Sequence, residues 1–239
     1  MTPQLWQDDW FAAATPLGMR AWRAVEAQHV VAAMRLVDSL DEQAMLEQLL
    51  ERSKPPLPRE VSAQQHYLLS TPFRYRPHHG SRFRQAGSPG IWYGADSVRT
   101  ACAEVAYWRW RFLLDSEGLL DQELLTEHTV FSAQVQGLAI DLSAQPWQQA
   151  RTQWTQSLDY SATQAVAGAA NTRGMDWLRY ESVRDPAGLC CAVFNPQALV
   201  SLDLKSQQTW HCRTTASAAR MVHGEERYEW QLGALRPKG

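Results

Sequence analysis

Twelve consecutive residues, 73–84, hold four arginines (Arg74, Arg76, Arg82, Arg84) and three aromatic rings (Phe73, Tyr75, Phe83). A guanidinium stays charged and presents a planar fork of donors that matches phosphate oxygens. Three readings fit such a stretch: a grip on a phosphorylated small molecule, a solvated loop whose arginines pair with acids elsewhere, or a single-strand nucleic-acid contact that mixes charge with stacking rings. The whole chain weighs against the last, because 23 Lys plus Arg face 25 Asp plus Glu, a formal net charge of −2. His78 and His79 share the stretch, yet no companion stands at the spacing a zinc site uses, so no metal is expected.

A second chemical candidate is Glu104, in the run 100–107 (TACAEVAY). Its immediate neighbours are small or apolar, and a carboxylate in such surroundings needs a partner or a purpose. The plain alternative is a helix glutamate paired with Arg99, Arg109 or Arg111. Ser182, in YESVR, stands between a strand-like run and a turn; it is outside any G-x-S-x-G elbow, so it is not read as a hydrolase nucleophile. Residues 87–90 (GSPG) lack the Lys-Ser/Thr of a phosphate loop, and no dinucleotide fingerprint is present.

These residues need a scaffold, and 239 residues with 45% apolar types can bury one sizeable core. Residues 17–52 read as helices, from apolar positions Val30, Val31, Met34, Val37 and Leu40 and from the helix-forming run 41–52, with Ser39 or Asp41 as cap. That stripe is expected to pack on the rest of the chain, with an oligomer or partner interface as the alternative. The helical block ends at the run 54–58 (KPPLP), because proline cannot continue a helix. A boundary there divides an N-terminal helical region, 1–58, from a second domain, 59–239.

Beyond it the spacing predicts a strand over 90–94 and a helix over 95–114 capped by Asp96 or Ser97. A bent strand or strand pair follows over 130–142, then a small-residue helix over 161–172. Two strands, 177–180 and 189–194, are joined by the turn 185–188; a short strand at 200–204, a part-helical tail from 214 and a last strand near 228–232 complete the reading. The class is α+β, a mixed sheet with helices behind a helical leader. Four cysteines without C-x-x-C spacing read as buried reduced thiols. With no signal-peptide pattern and no membrane-length apolar run, a cytoplasmic protein is expected. Most of the 11 tryptophans are expected in the core, with a few available to line a pocket for a planar ligand.

Taken in order, Arg74 (TPFRY), Arg82 (GSRFR), Tyr93 (GIWYGA), Glu104 (TACAEVAYWR) and Ser182 (RYESVRDPAGLCCAVFNP) resemble the RES domain family, over about residues 67–204. The intervals Arg82–Tyr93 and Tyr93–Glu104 are each eleven residues, and the VDSLDEQ and KPPLP segments are similar to the leader of longer members. Arg74 and Arg82 compete for the signature arginine, with Arg82 preferred for its spacing to Tyr93. The resemblance implies an ADP-ribosyltransferase-like fold and a toxin of a toxin–antitoxin pair that attacks NAD as substrate. Its implied chemistry is phosphorolysis with inorganic phosphate to nicotinamide and ADP-ribose-1″-phosphate, and its implied partner an Xre-like helix-turn-helix antitoxin. Glu104, Arg82 and Ser182 would then be catalytic, and Arg74, Arg82, Tyr93 and Ser182 would bind NAD. Two alternatives stand beside this: mono-ADP-ribosyl transfer to a protein, and a non-catalytic partner-binding relative. Neither a membrane nor direct nucleic-acid contact is expected.

Overall fold

The computed structural model describes residues 5–27, 37–62 and 64–232. In chain order it contains β1 (Thr15–Glu26), α1 (Leu40–Ser53), α2 (Tyr67–Arg74), β2 (Trp92–Ala95), α3 (Val98–Leu114), β3 (Leu124–Asp141), the single turn α4 (Arg151–Trp154), α5 (Ser161–Thr172), β4 (Trp177–Glu181), β5 (Leu189–Val193), β6 (Leu199–Thr214), β7 (Ala218–His223) and β8 (Glu226–Gln231). The strands form one mixed sheet in the order β1-β2-β5-β4-β3-β6-β7-β8. Only β3–β4 is parallel among these pairings. Strand β1 also pairs along its whole length with β3, from Thr15↔Ala139 to Glu26↔His128. It therefore closes β1, β2, β5, β4 and β3 on one another. All five strands feed a shared core that holds Ala21, Trp92, Phe131, Trp177 and Val193.

The α+β class holds, with one correction in the leader. Residues 15–26 are a strand and not a helix. Leu17, Met19, Ala21 and Val25 alternate toward the shared core, which is the two-residue period of a strand. The segment before residue 58 thus supplies a full member of the sheet rather than only a helical cap. The helix at Leu40–Ser53 does form, and Ser39 caps it by accepting from the Glu42 N–H at 3.2 Å. It buries none of its residues. Val30, Val31 and Met34 of the proposed stripe lie outside the described residues.

Other elements follow their local chemistry. Ser97 caps α3, accepting from the Thr100 N–H at 3.1 Å. Residues 130–141 belong to one long strand, β3, bent by irregularities opposite β6. Among its described residues the tail is not part-helical: β7 and β8 form an antiparallel hairpin from Ala218↔Gln231 to His223↔Glu226. Gly90 is required where the chain enters β2, because a Cβ there would lie 1.7 Å from the Pro72 carbonyl oxygen at the end of α2. No helix among the described residues is long and apolar enough to cross a membrane. Cys102, Cys190, Cys191 and Cys212 are buried free thiols.

Candidate active site

Helix α3 carries the centre of the site. Ala101, Glu104, Val105 and Trp108 recur at three- and four-residue spacing, so they share one helix face. All four line a cleft of about 220 Å³, together with Trp22, Ser81, Arg82, Tyr93, Tyr160 and Arg184. The bland pairing of Glu104 does not occur. Arg99 pairs with Asp185 at 3.1 Å, Arg109 with Glu26 at 2.7 Å and Arg111 with Asp115 at 3.3 Å.

Glu104 is instead held by Ser182, whose hydroxyl donates to Oε1 at 2.7 Å. The same hydroxyl oxygen accepts the backbone N–H groups of Arg184 and Asp185, both at 3.1 Å. Its proton and both lone pairs are therefore committed. This is the geometry of a residue that orients a carboxylate, not of a free nucleophile. The turn that carries Ser182 is clamped to the start of α3. Asp185 accepts from Thr100 Oγ1 at 2.9 Å and from Arg99 Nε at 3.1 Å. Gly188 lies so close that a Cβ would meet Thr100 Oγ1 at 2.5 Å.

Burial pushes the Glu104 carboxyl above its ordinary range, while the Ser182 hydrogen bond and the Arg82 and Arg184 charges oppose that rise. The nearby Cys190 thiol, 4.0 Å from Oε1, is raised well above the usual thiol range by burial, which disfavours a reactive thiolate.

Arg82 faces the cleft from a tight turn in which Ser81 and Arg84 exchange backbone hydrogen bonds at 2.8 and 3.2 Å. Its Nη1 donates to the carbonyls of Trp154 (3.2 Å) and Gln156 (2.8 Å). Its guanidinium carbon lies 4.8 Å from the Tyr160 ring centre. Thr163 Oγ1 donates to the Arg82 carbonyl, tying the turn to α5. Tyr93 lines the cleft, but its hydroxyl serves the same turn: it bonds Ser81 Oγ at 2.8 Å and accepts the Phe83 N–H at 3.2 Å.

The competition between arginines has a structural answer. Arg74 does not reach the cleft; it pairs with Glu51 of α1 at 2.9 Å and lines a separate groove. The last residue of α2 is Arg74, and the structure places it beside α1 and not with Glu104. Arg84 is spent on the loop itself, donating to the carbonyls of Pro77 and Gln85 at 3.1 Å and to that of His79. His78 and His79 are exposed. Glu104, Arg82, Tyr93 and Ser182 do come together.

Sequence reading missed Arg184, Tyr160, Trp22 and Trp108. Arg184 lies with its guanidinium carbon 3.4 Å from the Tyr107 ring centre and donates to the Ser157 carbonyl at 2.8 Å and to the Tyr160 hydroxyl at 3.3 Å. Tyr160 thus supports both guanidiniums, one on its face and one at its hydroxyl. The only signal was proximity of Arg184 to Ser182; Trp108, one helical turn beyond Glu104, could have been placed from α3's periodicity.

The RES domain family model matches residues 57–215, well over half of the chain. The chain belongs to the RES domain family. A comparison with curated proteins gives no match. Among solved structures, this RES domain chain is similar to a chain in the crystal structure of the M. tuberculosis MbcT–MbcA toxin–antitoxin complex, at 15% identity and a TM-score of 0.48, over 87% of this chain and 91% of that one. An identity and a score this low describe a distant likeness and no more.

Proposed function

We propose that this RES domain cleaves the bond between nicotinamide and ribose in NAD, and that it does so as the toxin of a toxin–antitoxin pair. The observation that carries the reading is Glu104, unpaired by any of its helix arginines and aimed by Ser182 into a cleft it shares with Arg82 and Arg184. Breaking an N-glycosidic bond builds positive charge on the ribose. A fixed carboxylate in a poorly solvated cleft stabilises that charge by several kcal/mol, on the order of 3. The bonding pair leaves with the pyridinium nitrogen, so nicotinamide departs neutral and needs no strong general acid.

The guanidiniums suit the anionic parts of the reaction. Nη1 of Arg82 is engaged, which leaves its Nε and Nη2 for a phosphate oxygen. Arg82 and Arg184 are both held by aromatic rings, so little of their freedom remains to be lost on binding. One grips the pyrophosphate of NAD and the other orients inorganic phosphate as co-substrate. A phosphate oxygen then bonds to the ribose carbon as the nicotinamide bond breaks, giving ADP-ribose-1″-phosphate with the proton retained on phosphate. Tyr93 flanks the nicotinamide ring. The partner is an Xre-like antitoxin that covers the cleft.

The test is purified protein incubated with NAD, with and without inorganic phosphate, and product identification by mass. The expected result is phosphate-dependent loss of NAD, abolished by Glu104→Gln with the fold intact by circular dichroism. Equal rates without phosphate point to hydrolysis, and label from NAD on a protein band points to transfer. Full turnover by Glu104→Gln would sink the mechanism.

A further inference from the structure

The proposed chemistry engages Glu104, Ser182 and the two guanidiniums, and leaves one wall of the cleft without a role. That wall is apolar. Val105 and Trp108 continue the cleft-lining face of α3 past Glu104, and Trp22 of β1 stands with them around the opening. Trp108 is 48% exposed, as is Phe112 one turn further on at 52%, whereas Tyr107 and Trp110 of the same helix are buried; of the two exposed rings, Trp108 lines the cleft. Four residues of helix put it about 6 Å further along the axis than Glu104.

The groups beside Trp108 give the placement. Arg184 lies on the Tyr107 ring, and Tyr107 meets Trp108 edge to face with ring centres 5.6 Å apart. Glu104 is less exposed than Trp108, and both line the cleft with Arg82 and Arg184, so a ligand that reaches the carboxylate and the guanidiniums has an exposed indole beside it. A dinucleotide carries the matching chemistry: a glycosidic bond, a pyrophosphate, and a second flat base. The contact with Tyr107 limits the freedom that the Trp108 ring has to lose on binding.

We infer that Trp108, which lines the cleft with Val105 and Trp22, is a stacking shelf for the nucleobase at the far end of the dinucleotide. This inference rests on the proposed NAD chemistry for its ligand, but it concerns binding and makes no bond. Trp108 is then a specificity residue that separates a dinucleotide from a mononucleotide. It touches none of the reacting atoms.

The experiment titrates ADP-ribose and ribose 5-phosphate calorimetrically into the parent protein, Trp108→Ala and Trp108→Phe. Removal of one stacking ring weakens ADP-ribose binding by roughly tenfold. Phe restores the affinity to within about twofold of the parent, because it retains a face. Ribose 5-phosphate binding is the same in all three proteins. In NAD turnover, Trp108→Ala raises KM and leaves kcat near the parent value. A Trp108→Ala protein that binds ADP-ribose as the parent does overturns the shelf, and so does a parent that does not bind ADP-ribose. A loss shared equally by ribose 5-phosphate also overturns it, since that places Trp108 at the wrong end. Shelf-dependent binding of ADP-ribose by a parent that leaves NAD intact would sustain the shelf and remove the proposed chemistry.

Discussion

Replacing Ser182 by Ala tests the positioning of Glu104 without touching the carboxylate. The hydroxyl donates to Oε1 at 2.7 Å and accepts two backbone N–H groups at 3.1 Å. A hydrogen bond to a charged group contributes about 1.5–3 kcal/mol. At about 1.4 kcal/mol per tenfold, its loss lowers kcat/KM for NAD by roughly ten- to a hundredfold near neutral pH. The loss depends on pH in a defined direction. Burial already raises the Glu104 pKa, and the Ser182 bond is the largest effect opposing that rise. Without it the pKa moves further up, so the acidic limb of the pH–rate profile shifts toward higher pH and part of the activity returns in alkali. The assay is kcat/KM for NAD across the acidic to mildly alkaline range, for wild type and Ser182→Ala. A uniform loss at every pH, with the acidic limb unmoved, refutes the positioning role. Complete inactivity unrelieved in alkali would instead give Ser182 a direct part in the chemistry.

Two further outcomes follow from the same geometry. The folded-state pKa of Glu104 is raised, so its contribution to stability is fully present below the unfolded carboxylate value of about 4.3 and is lost as pH rises through the folded value. Glu104→Gln lacks that loss, and its thermal midpoint therefore exceeds that of wild type by a margin that grows with pH over this window; parallel melting curves at all pH values would contradict the assignment. Arg74→Ala leaves NAD turnover within about twofold of wild type, because its partner is Glu51 outside the cleft, and a large fall in kcat/KM would restore Arg74 to the site.

Much of the scaffold was legible because short-range chemistry fixes it. The capping serine of α3 and the turn at 185–188 are local signals, and the structure keeps both. Two errors share one cause, the override of local pattern by tertiary pairing. Strand β1 alternates over Leu17, Met19, Ala21 and Val25, but its partner β3 is more than a hundred positions away, as in Ala21↔Ala133. The tail reads ambiguously until β7 and β8 are seen to pair with each other and β7 with β6. Spacing to Tyr93 favours Arg82 over Arg74 without placing either. Only the end of α2 and the turn at Ser81–Arg84 decide which one faces Glu104.

The assembled cleft has an electrostatic asymmetry that argues for its ligand. Within the cleft the carboxylate is penalised by burial and only partly relieved by Ser182 and the arginines. Arg82 and Arg184 find their partners among carbonyls, a hydroxyl and aromatic faces, not among carboxylates. Neither side is neutralised by ion pairing with the other at contact distance. A purely anionic ligand would satisfy the guanidiniums and worsen the position of Glu104. A purely cationic one would do the reverse. On the proposed reading NAD answers both, with a pyridinium charge at the glycosidic end and a pyrophosphate beyond it. Bond cleavage removes the ring charge but transfers it through the ribose, where the carboxylate still faces it. The cost of burying Glu104 in the free protein is thus relieved most fully where positive charge sits on the sugar, which is how a fixed charge favours the transition state over the ground state.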